Sequence, residues 1–133
     1  MSHDEFARAF ESCELPPEAF HHHDHIRLAW IYVHRYGEAG AAARIAESIR
    51  RYAAHLGIRE KYHQTITVAW VRLVAVAARS AQGDFEEFAR RNPELFDKSA
   101  LRAFYSDAVL QSPAARAEFV PPDLKPLGPE PVP

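Results

Sequence analysis

The sequence predicts an all-α fold: a compact helical bundle around one long central helix, with short C-terminal helices and an extended proline-rich tail. Three observations predict it. Apolar side chains recur three and four residues apart through four stretches of the chain, the spacing that gathers them on one helix face. No useful length alternates apolar and polar residues with period two, so no strand is expected. Serine, aspartate, proline and glycine stand where helices begin and end.

Taken in order, Ser2 and Glu5 have the spacing of a capping box for a first helix with Phe6, Ala7 and Phe10 on one face. Leu15-Pro16-Pro17 ends it, because proline supplies no amide hydrogen to the helical ladder. Pro17 suits the first position of a second helix, expected over 17–36 and stopped by Gly37, with Ala19, Ile26, Ala29, Trp30 and Val33 sharing a face. A third is expected over 41–56, where Ala42, Ile45, Ile49, Tyr52 and Leu56 are in helical register before Gly57. The longest is expected over 59–80. Its wide apolar stripe of Ile66, Trp70, Val71, Leu73, Val74 and Ala77 marks it as the central helix. Asp84 and Glu87 form a second capping box, and short helical pieces follow at 93–96, 100–105, 107–110 and 113–119. Six of the last thirteen residues are proline, so 121–133 reads as a tail, laid on the surface through Leu124 and Leu127.

With 133 residues the chain fits one domain, 1–120, followed by that tail. Its 47% hydrophobic content suffices for a core without disulfides, so a bound metal would be functional rather than a folding nucleus. The net charge of −2, with no basic block, gives no footprint for nucleic acid. Cys13 is the single cysteine, which suits a reducing compartment. The start, Met1-Ser2-His3-Asp4-Glu5, lacks the basic and apolar regions of a signal peptide, and no apolar run is long enough to span a bilayer. A cytoplasmic protein is expected, with neither nucleic acid nor membrane as partner.

The unusual feature is histidine. There are eight, and five lie at positions 21, 22, 23, 25 and 34. On a helix over 17–36, His22 falls near the centre of the apolar face and His25 flanks it one turn later, while His23 and His34 turn toward solvent. His63 falls in line with Ile66, Thr67, Trp70 and Val74, where the pattern asks for leucine. A buried imidazole needs a hydrogen-bond partner or a metal, since burial unpaired costs about 1–3 kcal/mol.

These positions predict a metal site, with His22, His25 and His63 as ligands of one divalent transition ion (Zn, Fe, Cu, Ni or Mn) between packed helices. The corresponding function is a histidine-rich metal-binding protein, and as an enzyme it would be a small metalloenzyme acting on a small organic substrate. Glu60 would be a fourth ligand or general base, Tyr62 or Thr67 a hydrogen-bond partner, and Trp30, Trp70 and Phe20 the walls of a pocket. Three alternatives stand beside it. The histidines can serve a metal-free helical module that binds a small ligand through hydrogen bonds. They can be structural, with Asp24 capping the helix and His23 solvated, in a protein that docks elsewhere through its proline tail. His23-Asp24 also matches the dipeptide of metal-dependent phosphohydrolases of the HD type, for which only His3 and either Asp84 or Asp97 are available as further ligands. Arg27 reads as solvent-facing or paired, and Arg116 as an anion anchor or surface residue.

The stretches Phe20-His21-His22-His23-Asp24-His25-Ile26-Arg27-Leu28-Ala29-Trp30 and Lys61-Tyr62-His63-Gln64-Thr65-Ile66-Thr67 resemble a family of small bacterial proteins of unassigned function. Phe119-Val120-Pro121-Pro122-Asp123-Leu124 is similar to the end of the same family. The resemblance implies no particular activity. It does place His22, His25 and His63 inside the stretches that carry it.

Overall fold

A computed structural model of the chain describes residues 1–80 and 83–129, and these form helices, short 3-10 turns and no strand. Helix α1 (His3–Glu11) starts as its capping box requires. Ser2 Oγ accepts from the Glu5 amide at 3.1 Å, and Glu5 Oε1 accepts from the Ser2 amide at 3.2 Å. Its buried face is Phe6, Ala7 and Phe10.

Pro17 opens only a 3-10 turn, Pro17–Ala19, not the helix expected from it. Phe20 and His21 are extended, and α2 (His22–His55) begins after them, with Asp24 Oδ2 accepting from the His21 amide at 3.0 Å. The stop expected at Gly37 is a kink: its backbone turns to φ 75°, ψ 176° and helix resumes at once. The helix expected over 41–56 is therefore the second arm of α2, which makes α2 the longest helix. Gly57 does close it, at φ 75°, with the Ile58 amide reaching back to the Ala53 carbonyl at 2.8 Å. A methyl at Gly57 would meet nothing within 4 Å, so Gly57→Ala should cost only the left-handed conformation, about 1 kcal/mol in urea denaturation.

The helix expected over 59–80 is also divided. A 3-10 turn, Arg59–Lys61, is followed by extended Tyr62 and His63, and α3 spans Gln64–Ala78. His63 thus sits at the N-cap of α3 rather than in mid-stripe, a correction with consequences for the site. The central position is as expected. Ala69, Trp70, Val71, Leu73, Val74 and Ala75 are all buried, and α2 packs chiefly along this helix through Ile26, Ala29, Tyr32 and Ile45.

The remaining elements are short and pack on α2, α3 and one another. They are α4 (Phe85–Arg91), 3-10 turns at Pro93–Phe96 and Lys98–Ala103, α5 (Asp107–Leu110) and α6 (Pro113–Ala117). Asp84, Asp97, Ser106 and Ser112 each cap the turn or helix that follows. Beyond Val120 the chain is extended. Leu127 is buried while Leu124 is 55% exposed, so one of the two expected apolar anchors is engaged. Gly128 lies so close to Val76 that a Cβ there would come within 2.8 Å of its Cγ2. Past it, Arg72 donates to the Pro129 carbonyl; positions 130–133 of the expected tail lie outside the described residues. Ending the chain after Gly128 should change unfolding free energy by less than about 1 kcal/mol; a larger loss would show that the last residues are packed. No helix among the described residues is long and apolar enough to cross a membrane.

Candidate functional site

Each inward histidine has a different local cause. His22 is the first residue of α2, a place fixed by the Asp24 cap one turn on. Its Nε2 lies 2.8 Å from the Leu95 carbonyl, so that nitrogen carries the hydrogen and donates it. Burial holds the ring's pKa below its ordinary value, the Leu95 bond opposing this only in part, and the ring is neutral near pH 7. His63 uses both nitrogens. Nδ1 accepts from the Ile66 amide at 3.1 Å as the cap of α3, and Nε2 donates to the Leu110 carbonyl at 2.6 Å. Its own carbonyl accepts the Thr67 hydroxyl at 2.8 Å.

His25 is the exception. Its Nε2 is sealed from solvent and has no hydrogen-bond partner among the described residues. Burial drives its pKa from 6.5 down to about 4, and the neighbouring His22 pushes it the same way. The two rings stand edge to face with centroids 6.4 Å apart.

His22 and His25 line one cavity of about 440 Å³. Its apolar wall is Ile66 and Trp70 from α3 with Leu101 and Leu110 from the C-terminal segment, and Trp70 meets the His22 ring at 4.6 Å. Its mouth carries exposed Lys98, Ser99 and Arg102, all from the 3-10 turn Lys98–Ala103. No carboxylate lines it. The two nearby acids are engaged: Asp97 Oδ1 accepts from the amide and hydroxyl of Ser99, and Asp107 Oδ1 lies 3.5 Å from Arg102 Nε. Lys98 has no ion pair among the described residues.

The two histidine–carbonyl bonds also bound this cavity in sequence. His22 grips the chain at Leu95 and His63 grips it at Leu110, and the segment between supplies one whole side of the cavity. Imidazoles at the starts of α2 and α3 thus act as two clasps on an irregular strap. Further clasps follow downstream: the Thr65 hydroxyl donates to Glu118 O at 2.8 Å and accepts from the Val120 amide at 3.0 Å.

The other expected site residues lie elsewhere. His63 does not line the cavity, although its partner Leu110 does. Glu60 is exposed on the turn before α3, and the Tyr62 hydroxyl donates to Gln64; neither lines the cavity. Arg116, read as an anion anchor or surface residue, is exposed and donates to the carbonyls of Glu60 and Tyr62. Of the three aromatic walls expected, Trp70 lines the cavity, Phe20 stacks on Phe10 beside His25, and Trp30 lies outside the lining, against His3, His34 and Phe85. His34 is exposed, as its helix face implied. No group of three His, Cys, Asp or Glu side chains among the described residues is placed to hold a metal ion.

His3, His23 and Asp84 do meet, at a second cavity of about 420 Å³ shared with Arg27, Phe85 and Glu86. There His3 Nδ1 accepts from Arg27 Nε at 3.0 Å, and Asp84 caps α4. Asp24, the aspartate of the dipeptide, is absent from this lining and caps α2 instead.

The cationic mouth was not visible in the pattern. Lys98, Ser99 and Arg102 come from a 3-10 turn without helical period, and only the path of the strap brings them over α2 and α3. Comparison with family models, curated proteins and solved structures gave no match.

Proposed function

We propose that this chain is a small-ligand-binding helical module whose ligand occupies the cavity between His22, His25, Trp70 and the strap 95–110. The observation that carries the reading is the unpartnered Nε2 of His25. A buried imidazole nitrogen without a partner costs about 1–3 kcal/mol, and here it belongs to a ring that lines a cavity of ligand size. A ligand hydroxyl, amide or carboxyl group would satisfy it once the His25 ring turns that nitrogen into the cavity, while Ile66, Trp70, Leu101 and Leu110 take up an apolar body.

The two tryptophans supply the test. Ligands of this cavity should shift the indole N–H resonance of Trp70 and leave that of Trp30, which does not line it, unmoved. For compounds found in such a fragment screen, His25→Leu should weaken binding about 10-fold by removing the hydrogen bond. A broad screen in which no compound moves Trp70 selectively overturns the reading.

A metal centre is the second reading, favoured by the 6.4 Å approach of the His22 and His25 rings and by the contact of His63 with a cavity residue. It requires His63 to give up either the Leu110 carbonyl or the Ile66 amide, whereas His22 could bind through Nδ1 with its Nε2 still donating to Leu95. Elemental analysis of untagged protein separates the two. Stoichiometric metal that is lost in His22→Ala, His25→Ala and His63→Ala, and kept in His34→Ala, would favour the metal. Such a site would also weaken as pH falls through the histidine range near ~6.5.

A further inference from the structure

Resting on that cavity reading, we infer that the ligand is a small aromatic carboxylate, its ring against Trp70 and His22 and its acid group shared between His25 and the Lys98 mouth. Three features point to this class. The inner wall is apolar and partly aromatic, with Trp70 2% exposed and Leu101 3% exposed, so the body of the ligand must be apolar. The His22 and Trp70 rings meet edge to face at 61°, an arrangement that can extend to a third flat ring.

The charge at the mouth is of one sign. Lys98 and Arg102 both reach the opening, and the adjacent carboxylates do not cancel them equally. Asp107 is drawn to Arg102, and Asp97 is turned to the Ser99 amide and hydroxyl. Lys98 is the cation left to meet a ligand. A cationic ligand would meet Lys98 and Arg102 with nothing in the lining to offset them. A neutral one would gain nothing from them.

The probes are 2-naphthoate, 2-naphthamide and 2-naphthylmethylammonium, which share one ring system and differ in charge. Binding is read from the indole resonances of Trp70 and Trp30 in the full chain. The expected order is naphthoate tightest, naphthamide weaker, and the ammonium weakest. Lys98→Glu should weaken naphthoate about 10-fold while changing naphthamide less than about 2-fold, and Lys98 is exposed, so the variant should fold. Added salt should weaken naphthoate alone. If naphthamide or the ammonium binds at Trp70 as tightly as naphthoate, or Lys98→Glu weakens all three alike, the carboxylate assignment is overturned and the cavity reading stands. If none of the three moves Trp70 selectively, both the assignment and the cavity reading for aromatic ligands fail.

Discussion

Replacing His63 with alanine should destabilise the protein by about 3 kcal/mol, the largest effect expected of any single histidine. The imidazole makes two bonds at once, accepting from the Ile66 amide and donating to the Leu110 carbonyl, and the residue is 8% exposed. Loss of an N-cap costs about 1 kcal/mol, and a carbonyl left buried without a donor about 1–3 kcal/mol more. His63→Asn separates the two contributions. Its amide oxygen can still cap α3, but its shorter side chain cannot reach Leu110, so it should recover only the capping part. Urea denaturation near pH 7.5 measures both variants. A loss below about 0.5 kcal/mol in His63→Ala would show that the strap holds its place without this clasp.

Acid should destabilise the protein well above the range in which carboxylates titrate, through His25. The folded-state pKa of about 4 lies below the ordinary 6.5 of an unfolded chain. Above pH 6.5 neither state binds the proton, and the group contributes no pH dependence. Between 6.5 and 4 the unfolded chain takes up a proton that the folded protein refuses, so stability falls with pH, by about 2 kcal/mol at pH 5 and roughly 3 kcal/mol in full. Burial lowers the pKa values of His22 and His3 as well, which adds to the loss in the same direction. His25→Leu removes the largest contribution along with the orphaned nitrogen. It should be more stable than the parent at pH 8, by up to about 1–3 kcal/mol, the cost of the orphaned nitrogen, and by a wider margin at pH 5. Parallel stability–pH curves for the two proteins between pH 8 and 5 would contradict the buried, neutral state of this ring.

The two expectations concern the same chemical problem solved in different ways. His63 and His22 are imidazoles whose burial is offset by backbone carbonyls, and His25 is one whose burial is not. A core that needed only packing would place leucine at all three positions. Two of these polar side chains instead hold the strap, and the third lines what the strap encloses. The cavity therefore depends on the clasps for its wall, and a ligand that binds there should in turn stabilise the strap by mass action.

Much of the fold was legible from local signals. The Ser2–Glu5 box, the Asp84 cap, the Gly57 terminus and the helical pieces at Pro93–Phe96 and Asp107–Leu110 all rest on interactions within a few residues, and they stand where the pattern put them. The same locality misled at three places. Pro17 satisfies the first turn of a helix, but extended Phe20 and His21 delay α2 to His22. Gly37 permits a stop, yet the helix resumes directly after it and the position is a kink within α2. His63 shares the period of the α3 stripe and is still its cap, because Tyr62 is extended and the helix begins at Gln64.

What the sequence determined by itself is the all-α class, the placement of most helix ends and the inward turn of His22, His25 and His63, since helical period and capping depend on neighbours in the chain. Tertiary structure alone decided what those imidazoles meet. The Leu95 carbonyl is 73 residues from His22 and the Leu110 carbonyl 47 residues from His63. Both lie at the ends of short turns, where backbone acceptors lack an intrahelical donor and are open to a side chain. Whether a buried nitrogen finds such an acceptor or none depends on how the strap crosses α2 and α3, and that path is set by the burial of Leu95, Leu101, Tyr105 and Leu127 against the core. Side-chain spacing carries no record of that crossing.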